Sequence, residues 1–278
     1  METELSLTLL PADLRVAPVH REAGPQPDNL CGPYWVAIGL RAAGCAEVTV
    51  EEAAVAAGTR VPATGDPRSW LPIGERPHGG SFPGLRRVDD PALAGTSIQG
   101  MLEAVEVLSG GSCRSLPIRG HAGRSLDGEA LAALMETILA EPAWLVIPLL
   151  NLRTGALWGA RTSMADALGY LAGRDVVPAP PEWDVGHFVN VAGILRSTRR
   201  ALLVLRDTYP SLGAGGTHLQ PLEAVAAAVR RGDGREGGCL LLVRSEDAAE
   251  VEREMKGRGF DVGSWDNGTP YEREGGTR

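Results

Sequence analysis

The sequence predicts an α+β fold. Helical periodicities with capping signatures dominate the first half of the chain, and a meander of short apolar runs with one inserted helix dominates the last third. Size is the third consideration. A fold of 278 residues buries roughly 75% of the surface its extended chain exposes, so no metal or disulfide staple is required.

Residues 1–30 read as extended or irregular, with Leu5 to Leu10 as an edge strand and with Pro25 and Pro27 barring a helix before Cys31. From Cys31 to Ala43 the pattern is helical. Trp35, Ile38 and Ala42 share a face, and Gly44 ends the run. Thr49 with Glu52 forms a capping box that opens a short helix through Ala57. Ser97 caps a third helix whose apolar face is Ile98, Met101, Leu102, Val105 and Leu108, and Cys113 to Ile118 follows as a short strand. A fourth helix runs from Asp127 to Ala140 and a strongly apolar strand from Trp144 to Leu150.

Phe188 to Leu195 and Ala201 to Arg206 read as antiparallel neighbours joined by the basic turn Arg196 to Arg200. A helix from Pro221 to Arg231 and a strand from Cys239 to Arg244 complete the pattern. Residues 1–255 thus read as a single domain, with irregular stretches near 58–96 and 151–185. Both are long for plain connections. Residues 256–278 read as a polar, flexible tail.

Composition narrows the function. The formal net charge is -8, and Lys256 is the one lysine among 27 basic residues, so nothing offers a nucleic acid a compensating basic block. The four cysteines are widely spaced and form no CxxC pair, which predicts reduced thiols and a cytoplasmic setting rather than a disulfide framework. The start, Met1 to Glu4, has no basic region of the kind that opens a signal peptide. No uncharged apolar stretch approaches ~20 residues, so no membrane partner is expected. The turn Gly213 to Thr217 lacks the lysine of a phosphate loop, and the cysteines and histidines lack ligand spacing. Neither a cofactor nor a metal is therefore expected.

Chemistry concentrates at three places. Pro25-Gln26-Pro27-Asp28-Asn29-Leu30-Cys31-Gly32-Pro33 puts a cysteine at the start of a helix, after a polar turn. There the free backbone N–H groups and the helix dipole favour a thiolate. The small Gly32 leaves room for a substrate backbone, and Pro33 suits a first helical turn. Gly186-His187 then opens one strand and Asp207 closes the next. The midpoint of His187 and Asp207 falls in the connecting turn, so strand pairing would bring the two together. An imidazole can take the thiol proton while a carboxylate orients it. The cysteine N–H and the side-chain amide of Gln26, or of Asn29 in its place, would serve a developing oxyanion.

Each residue also has an ordinary reading. Cys31 may be read as one more buried thiol, which is the better account of Cys45, Cys113 and Cys239. Asp207 could be a turn residue before Thr208-Tyr209-Pro210, and Gln26 or Asn29 could simply hold the turn. His20, His78, His121 and His218 fall in loop-like segments and are weaker bases.

The three motifs in this order, with Gly186-His187-Phe188-Val189 and Leu205-Arg206-Asp207-Thr208 following the cysteine helix, resemble the papain-like cysteine peptidases, and within them the C39-like branch. That resemblance implies an N-terminal helical half packed on a C-terminal antiparallel sheet. It also implies a Cys31–His187–Asp207 triad with Gln26 in the oxyanion hole. Two departures stand out: Gln26 lies one residue nearer the cysteine than the family places it, and the Cys-to-His separation is long. The activity implied is hydrolysis of a peptide or small amide substrate through a thioester. An acyltransferase or transpeptidase using the same site is the alternative. A third reading is an inactive binding module whose surface carries Trp70, Trp158 and Trp183.

Overall fold

The computed structural model describes residues 4–45, 47–79 and 82–272. In chain order the elements are β1 (Ser6–Leu9), α1 (Asp13–Ala23), α2 (Cys31–Ala43), α3 (Val50–Ala56), β2 (Arg60–Pro62), β3 (Arg86–Val88), α4 (Ile98–Leu108), β4 (Cys113–His121), α5 (Gly128–Ala140), β5 (Val146–Arg153), α6 (Met164–Leu171), β6 (Gly186–Arg196), β7 (Ala201–Arg206), β8 (Thr217–Pro221), α7 (Leu222–Arg230), β9 (Gly238–Arg244), α8 (Ser245–Gly257) and β10 (Phe260–Val262).

The fold is α+β, but it is not segregated as expected. Helices and strands are interspersed along the whole chain, which corrects the papain-like division into an N-terminal helical half and a C-terminal sheet. The main sheet has eight strands in the order β10-β4-β9-β5-β6-β7-β8, with β1 beside β6. Its pairings are antiparallel throughout. β1 and β4 come from the first half of the chain, and α6 to α8 come from the second. β6 is long enough to hold two partners on one side, pairing β5 with its first half and β1 with its second.

Helices cover both faces of the sheet. On one face α2 and α4 bury Trp35, Ile38 and Met101 against Ile147, Leu149, Leu240 and Leu242. On the other, α5, α7 and α8 bury Leu134, Val229 and Met255 against Leu150, Cys239, Leu241 and Val243. Successive residues of β9 therefore feed alternate cores, as a pleated strand requires. This explains the unbroken apolar runs of β5 and β9: a strand covered on both sides has no polar face to alternate with.

Local signals placed several helix starts correctly. Thr49 and Glu52 make the reciprocal capping box of α3, and Ser97 and Asp127 cap α4 and α5 through the amides of Gly100 and Ala130. α1 forms in a segment read as irregular, with Pro18 inside it. Two of its residues, Asp13 and His20, are held by partners around 206–207, far along the chain. Cys45 and Cys113 are joined in a disulfide, so the expectation of four reduced thiols is corrected; it ties the turn after α2 to the start of β4, 68 residues on. The segment expected as a flexible tail continues the fold, with β10 paired to β4 and Trp265, Asn267 and Thr269 buried. Residues 273–278 lie outside the described residues. No helix among the described residues is long and apolar enough to cross a membrane.

Leu241, fully buried in β9 between its neighbours in the sheet, and Leu7, mostly exposed in β1, give contrasting tests. Leu241→Ala is expected to cost about 2–5 kcal/mol in urea unfolding. Leu7→Ala should change stability by no more than about 0.5 kcal/mol.

Candidate functional site

Cys31 is the first residue of α2, half-buried at the helix start. Its helix is fixed to the sheet by Trp35, whose indole N–H donates to the Phe188 carbonyl at 3.0 Å, one residue after His187. The preceding turn is closed by Leu30 N–H to the Pro27 carbonyl, and Asn29 sits there in the left-handed region with φ 65°. Asparagine is among the few residues that adopt this conformation readily. Gly32 plays a different part from the one its small size promised. The space a side chain would take is filled by Met101 and Thr96, so the glycine lets α2 pack against the start of α4 rather than admitting a substrate.

His187 and Asp207 meet as expected. Nε2 of the imidazole lies 3.1 Å from Oδ1 of the carboxylate, and both residues are only 2% exposed. The hairpin closes through Ser197 N–H to the Arg200 carbonyl, and a bulge between Val191 and Gly193 shifts the register. Asp207 leaves β7 one residue past its end and turns toward His187. With the carboxylate at Nε2, the other ring nitrogen, Nδ1, is left for a second partner. Burial opposes a charge on the imidazole. The Asp207 charge and hydrogen bond, joined by a side-chain hydrogen bond and the charge of Cys31, outweigh it and raise the His187 pKa well above the ordinary value. Burial also opposes the Asp207 charge, but His187 and then His218 hold its carboxyl well below the usual range.

Four further residues complete the surroundings. His20 in α1 and His218 in β8 are not loop histidines. The His20 Nε2 donates to the Asp207 carbonyl at 2.8 Å, and its ring stacks on Trp35 at 5.3 Å. Burial lowers the His20 pKa, so this imidazole is a neutral donor. His218 Nε2 lies 3.8 Å from the second Asp207 oxygen, and its Nδ1 is held by Gln220 at 2.9 Å. Trp183 stands edge-on to His187 at 4.7 Å, and Tyr209 stacks beside it at 6.4 Å. These aromatic rings shut water away from the imidazole. The motif Asp207-Thr208-Tyr209 contained the signal for Tyr209, but Trp183, His20 and His218 reach the site only through tertiary structure.

Gln26 is buried, and its backbone N–H donates to the Thr208 carbonyl at 3.1 Å. Its Nε2 donates to the Tyr209 hydroxyl at 3.0 Å, while Oε1 has no hydrogen-bond partner among the described residues. Burial, followed by the charges of Cys31, Asp28 and Asp207, pushes the Tyr209 phenol above its ordinary pKa, so it remains protonated. Asn29 takes the other side. With Cys31, Trp70, Phe188 and Arg235 it lines a cavity of about 350 Å³. Segment 58–96 is therefore part of the site, supplying the wall around Pro62, Trp70 and Ala92. Trp158 packs instead against Tyr170 at 5.2 Å. Among the described residues no group of three or more His, Cys, Asp or Glu is placed to hold a metal ion.

The chain belongs to DUF6885, a family of unknown function, whose family model matches residues 10–266. No curated protein and no solved structure matches it.

The paired shifts fix a pH window. The raised His187 contributes stability that is complete below its unfolded pKa and is lost as pH rises through the folded value. The depressed Asp207 contributes stability present above its unfolded pKa and lost as pH falls through the folded value. Both contributions are complete between about pH 4 and pH 6.5. Asp207→Asn should therefore lose the most stability, about 3–5 kcal/mol, inside that window. Denaturant unfolding across pH should show the deficit narrowing on both sides of it.

Proposed function

We propose that this DUF6885 member is a cysteine-dependent acyl hydrolase acting on a peptide or small amide substrate. The observation that carries the reading is the buried His187 imidazole, hydrogen bonded to Asp207 at 3.1 Å on the strand whose Phe188 carbonyl anchors the Cys31 helix through Trp35. A structural histidine and a turn carboxylate would need neither such burial against each other nor that link to the cysteine helix. The resemblance to papain-like cysteine peptidases of the C39-like branch supports the same roles. It now rests on these residues and their order, since the segregated two-half architecture is not what the chain adopts.

In the proposed reaction the Cys31 thiolate attacks the substrate carbonyl and forms a tetrahedral intermediate. Its oxyanion is met by the Cys31 backbone N–H, one of the first-turn amides with no intrahelical acceptor. Gln26 is the second donor. Turning its amide by 180° lets the Tyr209 hydroxyl donate to Oε1 and leaves Nε2 as the unpaired buried group, which an oxyanion then satisfies. His187 donates its proton to the departing amine, and the acyl group remains on Cys31 as a thioester. Water enters, gives a proton to His187 and adds to the carbonyl. Collapse of that adduct releases a carboxylic acid and regenerates the thiolate–imidazolium pair. An amine entering in place of water would make the same site an acyltransferase.

Iodoacetamide at near-neutral pH, followed by peptide mass spectrometry, tests the pair directly. Cys31 should be labelled in preference to Cys239, whose thiol is buried and pushed up in pKa by that burial, and the preference should vanish in His187→Ala. With an acyl substrate, Cys31→Ala and His187→Ala should each reduce turnover on the order of 10³-fold or more. Slow labelling that is indifferent to His187 would sink the hydrolase reading in favour of a binding module.

A further inference from the structure

The cavity beside Cys31 has a charge opposite to that of the protein. The chain carries a formal net charge of -8, yet among the described residues the cavity lining contains Arg231 and Arg235 and no aspartate or glutamate. The two arginines are not equivalent. Arg231 is committed to Asp233, with Nε at 3.1 Å and Nη2 at 2.7 Å. Asp233 also accepts from Arg153, which itself forks onto Asp184 at 2.6 and 2.9 Å. Two arginines and two aspartates there neutralise one another.

Arg235 is held differently. Its Nη2 donates to the Ala92 carbonyl at 3.0 Å, a neutral acceptor on the cavity wall. Among the described residues no carboxylate stands within ion-pair reach of its guanidinium. Gly268, at φ 81°, packs so closely on the Arg235 side chain that any Cβ there would displace it. The guanidinium is thus positioned by backbone contacts, with most of its five donors uncommitted. A planar fork of that kind matches a carboxylate or a phosphate, and the carboxylate is the one that a peptide or amide substrate carries.

We propose that the cavity binds its substrate through a carboxylate held by Arg235, so that the acyl donor is an anionic short peptide or acylated amino acid. This inference rests on Cys31 being the nucleophile, as proposed above. The cavity volume of about 350 Å³ lies at the small end of ligand sites, which suits one or two residues around the reacting carbonyl. Taken alone, the overall acidity of the chain would favour a neutral or cationic partner. The local field governs the bound substrate, because low-dielectric walls focus it and salt screens distant charges.

Two alkylating reagents that differ in one charge test the proposal. Each forms an S–C bond at Cys31 and releases iodide; iodoacetate carries a carboxylate where iodoacetamide carries a neutral amide. The ratio of their rates at Cys31 is compared with the ratio for glutathione in the same buffer. The expected result is a ratio raised about tenfold over glutathione, saturating with iodoacetate and falling with added salt. In Arg235→Gln the ratio should drop severalfold. Arg114→Gln, which removes an exposed charge on β4 outside the cavity, should keep the wild-type ratio.

Protection against iodoacetamide then separates the two sources of carboxylate. Acetyl-alanyl-alanine offers one at the chain end and acetyl-aspartyl-alaninamide one on a side chain, with acetyl-alanyl-alaninamide as the neutral reference. Protection by either acid above the reference supports the proposal and identifies the source. A ratio equal to that of glutathione and unmoved by Arg235→Gln, with Cys31 still labelled selectively by iodoacetamide, overturns the carboxylate site alone. Failure of iodoacetamide to select Cys31 overturns the hydrolase reading and this inference with it.

Discussion

A carboxylate removed from water must be compensated on every side, and Asp207 is almost wholly buried. Much of the surrounding architecture follows from that requirement. One oxygen takes the His187 imidazole and the Tyr209 amide, the latter at 3.2 Å. The other faces His218 from β8, and the backbone carbonyl takes His20 from α1. Next to it, Arg206 forks onto Asp13 at 2.7 and 2.8 Å, pinning the start of α1. Strands β6, β7 and β8 and the first helix are thus held to one buried charge. An isolated carboxylate in such a place would cost several kcal/mol.

The legible parts of the chain were those written in adjacent residues. The capping oxygens of Thr49, Ser97 and Asp127 and the two-strand hairpin around residues 197–200 needed no tertiary context. Cys31, His187 and Asp207 were legible because a thiol, an imidazole and a carboxylate stand at the ends of readable elements. What stayed hidden depends on distant partners. The first helix holds Pro18 within it, and its Asp13 and His20 are secured by residues near 206 that lie far along the chain. The charged α8 shows few apolar residues, with Val251 and Met255 buried, and relies on pairs such as Glu252 with Lys256. The second layer of helices was implied by the unbroken apolar strands β5 and β9, a signal of two-sided burial that does not say what supplies the cover.

The disulfide and Arg235 show the same limit from another direction. Cys45 and Cys113 are ordinary small apolar residues by local context, and only the docking of α2 beside β4 makes them a pair. Arg235 lies in a glycine-rich turn before β9 and is one of many arginines. That its guanidinium pairs with no carboxylate among the described residues is a property of the folded cavity wall, built from segments 58–96, 151–185 and 265–269. Net charge, a sum over the whole surface, carries no record of such a local imbalance.

The contact between His20 and Asp207 joins residues 187 positions apart, and β1 reaches forward to β6 over a similar distance. Closing so long a loop is entropically slow, and non-local pairings of this kind delay folding. The hydrogen bonding of Asp207 is therefore complete only with the first helix docked against the strands it meets across that loop. The enclosure of this carboxylate is thus a property of the whole chain rather than of any one segment of it.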